Sequence, residues 1–149
     1  MNRALLSLVA GAIFGASGMA FAVLQQKDGE SVKLISSQDI KEKLDGKDAK
    51  ASFVEVTIEP GQQGVSHRHP GPGLVYVLEG EYELGIDDQP TKLLKAGDTF
   101  YEPTGCCHRV SRNPSTKTRT RLIAVVLHPR DAKEIAIPDP MCTKPGLVK

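Results

Sequence analysis

The sequence predicts an all-β fold, a sandwich or barrel of short strands, with one short helix near the N-terminus. Three observations predict it. Apolar and polar residues alternate in short runs between Ser52 and Leu127, the two-residue period of half-buried strands. Gly (14) and Pro (10) punctuate those runs at close intervals. No helical stretch separates the strands, so the crossovers of a parallel α/β sheet are missing. The 149 residues suit one domain with one core.

The chain opens with Asn2-Arg3 and an apolar, small-residue run from Ala4 to Phe21. Ala20-Phe21-Ala22 supplies a small-residue cleavage site. This pattern predicts a secretory signal peptide over residues 1–22, and hence a secreted or periplasmic protein that has no membrane anchor after cleavage. The segment is near the lower length limit for a membrane span. Its removal takes away Arg3 alone, so the formal charge of +1 becomes +1 − 1 = 0. With no basic run either, nucleic acid is not an expected partner.

Residues 23–50 read as a linker, a strand from Ser31 to Ile35, and a short helix from Gln38 to Leu44. A serine would cap the helix, and Asp45-Gly46 would end it. The barrel is expected over residues 51–128. Val54, Val56 and Ile58 form one face of its first strand, and Pro60-Gly61 turns the chain. Val65 to His69 is extended, and Leu74 to Leu78 is a continuous apolar strand. Glu79-Gly80 turns into Glu81 to Ile86. Shorter strands follow at Thr91 to Leu94, Thr99 to Tyr101 and Cys107 to Ser111, and a long one at Thr118 to Leu127. The proline-bearing tail, residues 129–149, is expected to lie extended over the surface.

Cys106, Cys107 and Cys142 are the three cysteines, an odd number that cannot pair fully within one chain. An oxidising compartment allows one bridge, from Cys106 or Cys107 to Cys142, since adjacent cysteines join only with strain. Three unpaired thiols are the other reading.

The chemistry lies in the histidines. In a strand, His67 and His69 fall on one face and Arg68 on the other. His108 opens a later strand after Pro103-Thr104-Gly105. Three imidazoles converging inside a barrel would suit a first-row transition metal and leave positions open for oxygen ligands. A solvated pair on an edge strand is the plain alternative.

Two separated stretches carry a resemblance. Gly61, five intervening residues, His67-x-His69 and Gly80 match the first motif of the cupin superfamily. Gly97, Pro103-x-Gly105 and His108 match its second, with Asn113 one residue later than usual. The resemblance implies a cupin double-stranded β-helix, a jelly-roll barrel. It also implies a metal held by His67, His69 and His108. The first motif's glutamate position is occupied by Gly73. Three histidines alone, a substitute carboxylate, or no metal would each follow from that gap.

Glu102 is the candidate substitute, standing before Pro103 where an apolar residue is expected. Facing inward, its charge needs a partner. It would then bind the metal or act as a catalytic base beside it; facing outward, it is a solvated strand end. Cys106 and Cys107 read as small buried residues or disulfide partners. Glu79 and His128 read as surface residues, and Tyr76 and Tyr101 as core or subunit-interface residues.

The expected function is therefore an exported metal-binding cupin. It would be a metal-dependent dioxygenase or related oxidoreductase acting on a small organic substrate, with Fe, Mn, Ni, Cu or Zn as cofactor. The alternative is a non-catalytic module that holds a small ligand or metal. An exposed apolar strand face would favour a homodimer.

Overall fold

The computed structural model describes residues 23–27 and 29–143. The expected signal segment, residues 1–22, lies outside the described residues. Among the described residues eleven strands follow one another: β1 (Val23–Lys27), β2 (Glu30–Leu44), β3 (Lys47–Ile58), β4 (His67–Arg68), β5 (Gly73–Glu79), β6 (Glu81–Ile86), β7 (Lys92–Lys95), β8 (Thr99–Glu102), β9 (His108–Arg112), β10 (Thr120–Pro129) and β11 (Ile137–Pro138). A 3-10 turn, Pro140–Thr143, ends the described chain. The strands form two antiparallel sheets, ordered β1-β2-β3-β10-β5-β8 and β11-β4-β9-β6-β7.

Alternation makes this architecture. On β10 every second residue from Thr120 to His128 is buried, and on β5 Gly73, Val75 and Val77 are buried while Leu74, Tyr76 and Leu78 are exposed. The inward residues meet in one core of Val54, Ile58, Val75, Val77, Tyr82, Leu84, Leu122 and Ala124. Gly80 makes the β5–β6 reversal possible. Its φ is +81°, and a Cβ there would sit 2.4 Å from the Arg119 carbonyl oxygen.

The expected helix over Gln38–Leu44 is not formed; those residues continue β2 and pair with β3. Ile40 and Leu44 misled because a spacing of four fits both a helical face and a strand face. Asp45 and Gly46 have φ of 49° and 75°, the two positive values of a type I′ hairpin turn, so they join two strands rather than end a helix.

The tail also departs from expectation, because it packs inward. Ile135, partly buried, packs against the core, β11 pairs with β4, and Arg68 forms an ion pair with Asp139 at 2.7 Å. A Cys107–Cys142 disulfide fastens the tail to the segment before β9, with the two Cα atoms 5.5 Å apart. Cys106 stays a free, buried thiol, which burial and the nearby carboxylates Glu102 and Asp87 push up to about 12.

Candidate metal centre

Strand register brings the histidines together. His67 on β4 is the direct cross-strand partner of His108 on β9, although 41 residues separate them. His69 follows on the same face. The ring nitrogens of the three lie within 4.8 Å of one another, and His69 and His108 are buried. Glu102 approaches from the opposite sheet and is 2% exposed. Its Oε1 is 2.6 Å from His108 Nδ1 and its Oε2 is 3.3 Å from His69 Nε2.

Glu102 is the cross-strand partner of Gly73. A Cβ built on Gly73 would lie 2.6 Å from Glu102 Oε2. The glycine at the family's glutamate position thus leaves the space that the Glu102 carboxylate fills. The inward placement of Glu102 follows from β8 pairing with β5 in this register.

The hydrogen-bond partners fix which nitrogens are free. His67 Nδ1–H donates to the Val65 carbonyl at 2.8 Å, and His69 Nδ1–H donates to the Ile135 carbonyl. Each carbonyl can only accept, so each neutral ring keeps its lone pair on Nε2. Those two Nε2 atoms face each other at 3.2 Å. His108 Nε2 lies 3.0 Å from the Tyr82 hydroxyl, whose own proton goes to Ser111 Oγ. His108 therefore donates from Nε2, and its Nδ1 points at Glu102. Although His108 Nδ1 and Glu102 Oε1 are close, they are not aligned as a hydrogen bond, and neither has another partner.

Acceptors facing acceptors in a buried site require a positive charge between them, a proton or a metal. Backbone carbonyls that orient ligand imidazoles are the usual outer support of a metal site. The residues present therefore fit a metal ion, with three imidazoles and one carboxylate as donors. Electrostatics agree. Burial, then the neighbouring His108 and His69, lower His67 to about 4 and keep it neutral. Burial alone would raise Glu102, but the close approach and charge of His108 and His69 hold it well below the usual carboxylate range. Burial likewise opposes protonation of His69, and Glu102 outweighs it, so that ring is raised.

The donors open into a cavity of about 390 Å³ between the sheets. Its walls are largely aliphatic, with Val32, Val54, Val75, Leu122 and Val126 among them, and Phe100 lies near the donors. Ile135 and Pro138 of the tail line it as well.

Some expectations fail here. His128 is 4% exposed rather than on the surface, with Nε2 2.9 Å from Ser52 Oγ. Its strand runs two residues further than expected and takes it into the sheet. For Tyr76 (45% exposed) and Tyr101 (56%), of the two alternatives only the core is excluded, because their parity puts them on the outer face. Asn113 is fully buried and closes a loop, donating to the carbonyls of Ile58 and Thr118. Glu79 is at the surface, beside Arg119.

Three polar residues at the centre escaped the sequence reading: Tyr82, Ser111 and Glu30. A usable signal existed for Glu30, since it shares strand parity with the apolar Val32 and Leu34.

Residues 54–126 match the family described as the cupin domain. This chain is a cupin. The cupin is 31% identical over 77 residues to the uncharacterized protein YdbB of Bacillus subtilis (strain 168), an alignment covering 51% of this chain and 63% of that relative. It thus spans less than two thirds of the relative's length. Among solved structures, the cupin is similar to an uncharacterized conserved protein with a double-stranded beta-helix domain from Klebsiella pneumoniae (20% identity, TM-score 0.58, 83% of this chain and 100% of that one). It is also similar to an oxalate oxidase (20% identity, TM-score 0.58, 86% of this chain and 64% of that one). At these identities the solved structures speak for the fold alone.

Proposed function

We propose that this cupin is a metal-dependent enzyme acting on a small organic molecule, of the dioxygenase or related oxidoreductase class. His67, His69 and His108 would hold the metal through nitrogen and Glu102 through oxygen. The observation that carries this reading is the convergence of unshared lone pairs, with each imidazole N–H committed elsewhere. The donor set suits Fe, Mn, Ni, Cu or Zn. When bound, such a metal would supply Lewis-acid and redox chemistry to a substrate oxygen.

The chain's own residues would do the rest. The aliphatic walls would bind the apolar part of a substrate and exclude water. Phe100 would shape the cavity near the metal. Three neutral imidazoles and one carboxylate leave a divalent site with net positive charge, which favours an anionic oxygen on the substrate. The oxalate oxidase in the comparison is named for a small acid and shares this fold, though fold does not decide function.

The test is elemental analysis of protein purified from its native compartment. The expected result is near-stoichiometric metal, lost on replacing His67, His69 and His108 together with alanine. Equal metal in the triple variant would place the site elsewhere. Oxygen uptake with a panel of small acids would then separate the enzyme from a passive binding module.

Export is supported by the Cys107–Cys142 pairing, since disulfides persist in oxidising compartments. A homodimer is supported by the outer face of β5 and β8, where Leu74, Tyr76, Leu78 and Tyr101 stand exposed. Intact mass and light scattering on exported protein check both. A retained residues 1–22 segment or a strictly monomeric mass would count against them.

A further inference from the structure

Glu30, Ser111 and Tyr82 form a line of polar groups leading away from the donor cluster. His108 Nε2–H donates to the Tyr82 hydroxyl at 3.0 Å. Tyr82 donates to Ser111 Oγ at 3.0 Å, and Ser111 donates to Glu30 Oε1 at 3.4 Å. Tyr82 and Ser111 are buried, so water does not replace these links freely. The Glu30 carboxylate rests against Gly64, where a Cβ would lie 2.3 Å from its Oε2. Gly64 is itself tied to β9, its N–H donating to the Ser111 carbonyl at 2.8 Å. Residues 81 apart in the chain are thus held at one point.

We propose that Glu30 is a positioning residue for the metal site: it ends a hydrogen-bond chain through Ser111 and Tyr82 that keeps a proton on His108 Nε2 and the Nδ1 lone pair toward Glu102. This rests on the metal reading above. The chain has a direction because an ionised carboxylate only accepts. With Glu30 accepting, Ser111 must donate to it, Tyr82 must donate to Ser111, and only an N–H can face Tyr82. Without that terminal acceptor, both hydroxyls can turn round. Tyr82 can then donate to His108 Nε2, and the proton moves to Nδ1, where it blocks a ligand position. Neither Tyr82 nor Glu30 would touch the metal. Their effect would pass through the tautomer of one imidazole, as outer hydrogen bonds do in metal sites.

The experiment compares wild type, Glu30→Leu, Glu30→Gln and Ser111→Ala. Leucine removes the acceptor, and glutamine keeps it. Thermal melts establish folding, and Ser111→Ala cuts the same link should Glu30→Leu fail to fold. Two readouts are taken. In metal-free protein, nitrogen-15 NMR follows the His108 Nε2–H resonance and its protection from solvent. Zinc affinity is then measured by competition with a chelator. The expected result is a protected Nε2–H in wild type and Glu30→Gln, and its loss in Glu30→Leu and Ser111→Ala. Zinc affinity should fall about 10- to 100-fold in the latter pair and recover largely in Glu30→Gln. A protected Nε2–H and unchanged zinc affinity in folded Glu30→Leu would overturn the proposal. A wild type that holds no zinc but shows the protected Nε2–H would overturn the metal reading and keep the chain.

Discussion

Glu30 and Glu102 line one cavity, each seated against a glycine, yet they are driven in opposite directions. Glu102 is buried between His69 and His108, and those rings hold its carboxyl below the usual range. Among the described residues Glu30 pairs with no cation. Burial raises it, and the distant His108 and the Ser111 hydroxyl offset only part of that. The more deeply buried carboxylate is therefore the more readily ionised. Contact with cationic or cation-binding neighbours outweighs desolvation at Glu102, and its absence lets desolvation win at Glu30. One carboxylate is suited to hold a metal and the other to finish a hydrogen-bond chain.

The largest way to break the comparison is to remove the inner charge. Glu102→Gln should lower metal affinity by at least about 100-fold, the upper range for groups supporting a metal site. Moving the carboxylate across the strand pair, with Gly73→Glu and Glu102→Ala together, should restore much of it. Chelator competition on folded protein measures both. Unchanged affinity in Glu102→Gln would leave a bare three-histidine centre.

A smaller effect comes from filling the seats. Gly73→Ala places a methyl 2.6 Å from Glu102 Oε2, whose carboxylate is held between His69 and His108. Affinity should drop about tenfold, because the carboxylate is displaced but kept. Gly64→Ala crowds Glu30 as closely, but that side chain lies toward the cavity and can swing away. Its effect on metal affinity should stay below about tenfold. The reverse ranking would mean that the outer carboxylate, not the inner one, governs the site.

The smallest effects are slopes of stability against pH, read from melting of metal-free protein. His67 is lowered to about 4, so the unfolded chain takes up its proton first as pH falls from about 6.5. Stability is lost across that window, and His67→Gln should flatten it. Glu102 is also lowered, so its contribution is present above about 4.3 and lost below. Glu30 is raised, and so favours the fold in acid and loses that contribution as pH rises. Glu30→Gln should therefore steepen the acid loss, whereas Glu102→Gln should flatten it.

Much of this site was legible from residue types and spacing. His67 and His69 share a face by strand parity alone, and the two motifs placed His108 with them. Glu102 drew notice as a charge where the strand called for an apolar residue. Registers between distant strands were not legible. Nothing local says that Gly73 lies opposite Glu102, or that Glu30 meets Ser111, since such pairings depend on sheet order. The helix expected at Gln38–Leu44 failed for a related reason. Its polar face is consistent with either period, and pairing with β3 decided the matter. Tyr82 was passed over because a buried tyrosine is ordinarily core, and only its hydroxyl's partners distinguish it.

The carbonyl of Ile135 that orients His69 lies 66 residues beyond it in the chain. Synthesis runs from the N-terminus, so a growing polypeptide exposes both motif-one histidines well before that carbonyl exists. Until the tail docks, the His69 ring is free to rotate and to present either nitrogen. On the metal reading, the half-made protein would be a poor and indiscriminate chelator. On the same reading, loading would thereby be deferred to the finished barrel, where cavity shape and donor geometry would select the ion.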